Sequence, residues 1–170
     1  MLCSIERNSQ EEPRAGMRVP ASPHPGVKSD VMRCSVGWML RLTPRAAAVV
    51  ALARQEAESL GQPCASGHVL AVPIWEAGGL AARALSEAGF ASGSEDVVRR
   101  WLAGAPERER GMALDELLHA AEKVAVDLGH NYLGTEHQLL AITEDACLGA
   151  DAFPTERRAL ARAHLRETAS

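Results

Sequence analysis

Thr43-Pro44-Arg45-Ala46-Ala47-Ala48-Val49-Val50-Ala51-Leu52-Ala53-Arg54-Gln55-Glu56-Ala57-Glu58-Ser59-Leu60-Gly61 opens on a helix cap and closes on a helix stop. Threonine followed by proline gives an N-cap and a first helical residue whose missing N–H costs nothing, and glycine suits the left-handed residue just past a helix end. Between them Ala46, Val49, Val50, Ala53, Ala57 and Leu60 recur at i, i+3, i+4, i+7, i+11 and i+14, one continuous apolar face. Adding 68 to each number gives Leu114, Leu117, Leu118, Ala121, Ala125 and Leu128, again all apolar and again followed by a glycine, Gly129. The chain therefore contains an internal repeat. Past the glycines it continues at an offset of 69, with Ser66, His68 and Leu70 set against Thr135, His137 and Leu139, so one residue is inserted in the first connecting loop.

Working outward, a second helix is expected in each half, from His68 to about Glu76 and from His137 to about Thr143, with Pro73 kinking or shortening the first. Leu80–Ala88 and Ser94–Leu102 read as third and fourth helices of the first repeat, and residues 105–110, with Pro106, as the linker. The third helix of the second repeat is hard to find, because Glu144–Phe153 is short, acidic and interrupted by Gly149; its loss would leave an apolar strip uncovered. A last helix runs from Thr155 to about Arg166. The expected fold is all-α, two pseudo-symmetric repeats of about four short helices (42–104 and 111–168), the second shortened, with the two matching stripes packed face to face. Residues 1–37 hold four prolines and no apolar period, which predicts a flexible tail ahead of a domain at 38–170.

Composition agrees with helices. Of 170 residues 46% are hydrophobic and 24% charged, only six are aromatic, and alanine and leucine dominate the apolar set. Net charge is −4, with the acidic excess in residues 43–170, which disfavours nucleic acid as a partner. Arg157, Arg158, Arg162 and Arg166 form the one candidate basic stripe and read as solvated residues complementing a helix dipole. Cys3, Cys34, Cys64 and Cys147 form no paired motif, no apolar run is long enough to span a bilayer, and no secretory signal is visible; a cytoplasmic location is expected.

Leu128-Gly129-His130-Asn131-Tyr132-Leu133-Gly134-Thr135-Glu136-His137-Gln138-Leu139-Leu140 closely resembles the repeat signature of the N-terminal domain of Clp unfoldases such as ClpC and ClpA. Leu42-Thr43-Pro44-Arg45-Ala46 resembles the opening of one such repeat, and the run from Glu76 to Leu85 its third helix. The resemblance implies a non-catalytic protein- or peptide-binding module of the Clp protease system, docking adaptors or substrates or competing with the unfoldase's own N-terminal domain. No G-x-x-x-x-G-K-[ST] phosphate loop occurs in these 170 residues, so a stand-alone domain without a motor is expected. Alternatives are a sequestering module for small molecules or cyclic peptides, and a degenerate domain with eroded sites.

ClpC-type members recognise phosphorylated arginine, the glutamate of the G-T-E-H turn taking the guanidinium and the threonine that opens the repeat helping to hold the phosphate. The first repeat has Thr43 but Gly67 in the glutamate's place; the second has Glu136 but Gly111 in the threonine's. Each site is therefore expected to have lost one half, leaving Glu136 to take an unmodified arginine. The binding candidates are Thr43, Arg45, Thr135 and Glu136. Thr135 and Gln138 also read as a capping box, and His68 and His137 as packing or hydrogen-bonding residues. No metal, cofactor or catalytic set is expected: no third ligand has usable spacing, and Cys64 near His68 lacks any accompanying elbow.

Overall fold

The computed structural model describes residues 40–71 and 73–168, all within one compact unit. The expected tail at 1–37 lies outside the described residues. The elements run β1 (Arg41–Leu42), α1 (Pro44–Ser59), α2 (Ser66–Ala71), α3 (Pro73–Glu76), α4 (Gly79–Glu87), α5 (Ser94–Gly104), a 3-10 turn (Glu107–Glu109), α6 (Leu114–Asp127), β2 (Tyr132–Leu133), α7 (Thr135–Glu144) and α8 (Thr155–Thr168). None of these helices is long and apolar enough to cross a membrane.

The caps behave as chain chemistry requires. Thr43 Oγ1 accepts the Ala46 N–H at 3.2 Å ahead of Pro44. At the other end Gly61 takes φ +62° and the Gln62 N–H donates to the Ala57 carbonyl; 68 residues on, Gly129 takes φ +75° and the His130 N–H donates to the Ala125 carbonyl. Proline at 73 separates α2 from α3, since it cannot donate to the preceding turn.

The stripes bury Ala46, Val49, Ala53 and Ala57 on α1 and Leu114, Leu117, Leu118, Ala121 and Ala125 on α6, with Val50, Leu60 and Leu128 only partly covered. They do not meet face to face as expected. Helix α1 packs chiefly on α2, α3 and α7, and α6 chiefly on α7. The second helices form the centre: every residue of α2 and every residue of α7 from Thr135 to Thr143 is buried. The composition gave no hint of strands, yet β1 and β2 pair in parallel, Arg41 with Tyr132 and Leu42 with Leu133. Leu133 is the residue that the 129–135 loop has in excess of the 61–66 loop, and it is fully buried.

The second half lacks a third helix. Residues 145–154 form turns that nonetheless cover the strip expected to be bare, burying Leu148, Ala152 and Phe153. Arg158, expected to be solvated, holds this segment by donating to the carbonyls of Phe153 at 2.6 Å, of Asp145 at 2.5 Å and of Leu148. Arg162 donates to the Thr143 carbonyl at 2.6 Å. These two arginines satisfy backbone oxygens that a helix would have paired internally.

Candidate functional site

Parallel pairing of β1 with β2 sets the start of α1 beside the start of α7, and the Thr43 N–H donates to the Leu133 carbonyl at 2.9 Å. The N-terminus of α4 arrives at the same place through Gly78 and Gly79, both in the left-handed region at φ +64° and +81°. The result is a cavity of about 350 Å³ lined by Thr43 and Arg45 from α1, Gly79, Leu80 and Arg83 from α4, and Thr135 and Glu136 from α7. All four residues singled out from the sequence line it. The expectation that each of two sites has lost one half took the wrong pairing: Thr43 and Glu136, retained by different repeats, line one cavity.

Three helix N-termini converge here, each carrying a partial positive charge, and Arg45 and Arg83 add two full charges. Neither arginine forms an ion pair among the described residues. A Cβ added to Gly79 would lie 3.2 Å from Arg45 Nη1 and 3.9 Å from Thr135 Oγ1, so guanidinium and hydroxyl flank one point of the cavity wall. Against this positive field stands one carboxylate, Glu136, whose side chain is 11% exposed. The cavity thus offers an anion subsite and, beside it, a guanidinium partner.

Glu136 is seated by its neighbours. A Cβ on Gly134 would fall 2.3 Å from Oε1, so the carboxylate folds back over a residue that must be glycine to admit it. The Tyr132 phenol is raised above its ordinary value, by desolvation first and then by the charge of Glu136 and a hydrogen bond to it. His137 does what Thr135 was expected to do. Helix α7 is capped at Gly134, whose N–H donates to His137 Nδ1 at 2.9 Å, so Thr135 is already helical, and no Thr135–Gln138 capping box forms. In the first half the Ala65 N–H donates to His68 Nδ1 at 3.1 Å in the same way. With Nδ1 accepting, Nε2 of each ring carries the proton: His68 Nε2 donates to Gln62 Oε1 at 3.1 Å and His137 Nε2 to His130 Nδ1 at 2.8 Å. Burial lowers the pKa of both histidines.

His130, Glu136 and His137 bring ligand atoms within 4.8 Å of one another, a grouping the linear spacing hid. The tautomer just derived leaves His137 no lone pair for a metal, however, because one nitrogen accepts from the backbone and the other holds a proton. Cys64, counterpart of Tyr132, has its thiol pushed up to about 11 by burial, the nearby Arg54 notwithstanding, and is no nucleophile at neutral pH.

The sequence pattern of the Clp repeat (R) N-terminal domain matches residues 41–153, well over half the chain. The chain belongs to the Clp N-terminal domain family. Its similarity extends to the negative regulator of genetic competence ClpC/MecB of Bacillus subtilis (strain 168), 36% identical over 118 residues. That match takes in 62% of this chain and 14% of the relative, so the chain spans about one seventh of the relative's length. All the cavity residues lie inside the stretch that matches the Clp family.

Proposed function

We propose that this Clp N-terminal domain docks protein partners of the Clp system, adaptors or substrates, by taking one phosphorylated arginine side chain into the cavity between α1, α4 and α7. One observation carries the reading: Thr43 and Glu136 line the same cavity although they come from different repeats. The Glu136 carboxylate matches a guanidinium, and Thr43, Arg45, Thr135, Arg83 and the surrounding helix N-termini match the attached phosphate. An unmodified arginine would leave the positive half of the cavity unanswered, and inorganic phosphate would leave Glu136 repelled. Only a group with both charges answers the whole site.

Calorimetric titration with phosphoarginine, arginine and inorganic phosphate tests this. Phosphoarginine is expected to bind at least tenfold more tightly than either fragment. Arg45→Ala should weaken phosphoarginine and phosphate alike, and Glu136→Ala phosphoarginine selectively. Equal affinity for phosphoarginine and phosphate, or indifference to both substitutions, would refute it. A chain with this site would also draw marked partners away from an unfoldase bearing the same site, which a competition pull-down reads directly.

A further inference from the structure

The repeat predicts a second cavity related to the first, and its counterpart positions are known from the offsets of 68 and 69. Thr43 becomes Gly111, Arg45 becomes Ala113, Gly79 becomes Leu148, Thr135 becomes Ser66 and Glu136 becomes Gly67. These residues do come together, but nothing is open. A Cβ on Gly111 would lie 1.9 Å from Ser66 Oγ and 2.6 Å from Asp145 Oδ2, and a Cβ on Gly67 would meet the Arg110 carbonyl oxygen at 2.7 Å, Leu102 Cδ2 at 2.9 Å and Leu148 Cδ1 at 3.4 Å. The amides of Ser66 and Gly67 already donate to the carbonyls of Met112 and Arg110, each at 2.9 Å. Among the described residues no carbonyl takes the amides of Thr135 and Glu136 in that way.

Where the hydroxyl of Ser66 and the backbone of 111–112 meet, one charged group is lodged. Asp145 is 1% exposed; its Oδ2 accepts the Ser66 hydroxyl at 2.5 Å and the Met112 N–H at 2.8 Å, while Oδ1 accepts the Cys147 N–H at 2.8 Å. Ser66 is the counterpart of Thr135, and Gly111 of Thr43, so this carboxylate occupies the point that corresponds to the anion subsite of the open cavity. It is delivered by the 145–154 segment, which stands where the first half has α4 with its open N-terminus. The segment that stands in place of the third helix is the one that closes the second site.

We propose that the chain carries the same anion site twice, once open and once permanently occupied by its own Asp145 carboxylate, and is therefore monovalent. This rests on the reading of the open cavity given above for the identity of the external ligand, but the closed site stands on its own contacts. A monovalent chain takes one charged group from a partner and cannot bridge two, so it binds singly and multiply marked proteins with equal affinity per mark.

Inorganic phosphate counted per chain by calorimetry, with the full chain throughout, is the test. The wild type is expected to bind one phosphate, Arg45→Ala at least tenfold more weakly, Asp145→Ala two, and the double variant one, at the vacated site. Should Asp145→Ala fail to fold, Asp145→Ser keeps an acceptor for the Cys147 amide and serves in its place. Two phosphates on the wild type, or no gain on removing Asp145 by either substitution, overturns monovalence by self-occupation. Absence of phosphate binding by the wild type counts against the open-cavity reading instead, and the double variant still decides the closed site.

Discussion

Gly134 and Glu136 exchange space with their counterparts Ala65 and Gly67. In the first half a methyl group stands where the second half places a carboxylate, and the side chain two residues on is absent. Gly134 has φ −101° and ψ 176°, which alanine adopts without strain, so its glycine is required by the carboxylate alone. Gly134→Ala is therefore expected to leave the unfolding temperature within about a degree and inorganic phosphate affinity unchanged, while phosphoarginine binds about tenfold more weakly, a loss of about 1.4 kcal/mol; calorimetry on both ligands checks it. The buried histidines give a pH dependence with a definite sign. Their folded pKa values lie below the ordinary 6.5, so above that pH neither state takes a proton and stability is complete. As pH falls through 6.5 the unfolded chain protonates first, and stability is lost at up to about 1.4 kcal/mol per pH unit for each ring. Urea midpoints at pH 7.5, 6.0 and 5.0 should fall steadily. His68→Gln, which keeps a side-chain acceptor for the Ala65 N–H, should fall less steeply over the same range.

At the level of elements, the 145–154 segment shows how a helix is replaced without leaving a hole. Its buried Leu148, Ala152 and Phe153 supply the apolar cover, and Arg158 supplies the hydrogen bonds. Arg158→Ala strands three carbonyls in a partly dry setting and is expected to cost about 2–3 kcal/mol in chemical denaturation. Arg158→Lys should recover little, because one ammonium lacks the planar fork that reaches three oxygens. Arg166, whose guanidinium pairs with Glu144 with both side chains exposed, should tolerate alanine within about 0.5 kcal/mol. The outer helices were legible because half of each is wet: α1 and α6 alternate apolar and polar residues with the helical period. Helices α2 and α7 were expected from their place after Ser66 and Thr135 in the repeat, not from a period, since Ser66, His68, Thr135, Glu136, His137 and Gln138 are polar and buried together, and burial on all sides erases the period. The cavity's residues were legible one by one, but not their partnership. An offset aligns Thr43 with Gly111 and Glu136 with Gly67, whereas parallel pairing of Leu42 with Leu133 brings unlike ends of the repeat together. The signal that was available is Leu133 itself, an apolar residue inserted in a loop otherwise suited to solvent.

The whole molecule cannot come apart along the line of its repeat. Helix α4 of the first half packs on α7 and α8 of the second, β1 pairs with β2, and Asp145 anchors the second half to Ser66 of the first. Each half on its own would expose the fully buried faces of α2 or α7, where Ser66 donates to Asp145 and Gln138 to the Ala46 carbonyl across the divide. Unfolding is therefore expected to be a single transition in which neither repeat survives the other. The probes are conveniently separated: Trp75 and Trp101 lie in the first half, and Trp75 stacks edge-on against Phe90, which in turn meets Phe153 of the second. Leu139 is fully buried on α7, far in sequence from Trp75 and Trp101. Truncating it to alanine should cost about 2–5 kcal/mol, and tryptophan fluorescence and far-ultraviolet circular dichroism should shift together to the same lower urea midpoint. A fluorescence transition that stays at the wild-type midpoint while the dichroism moves would mean that the first repeat holds its structure alone, and the shared cavity between α1, α4 and α7 would then be a contact between two independent bodies.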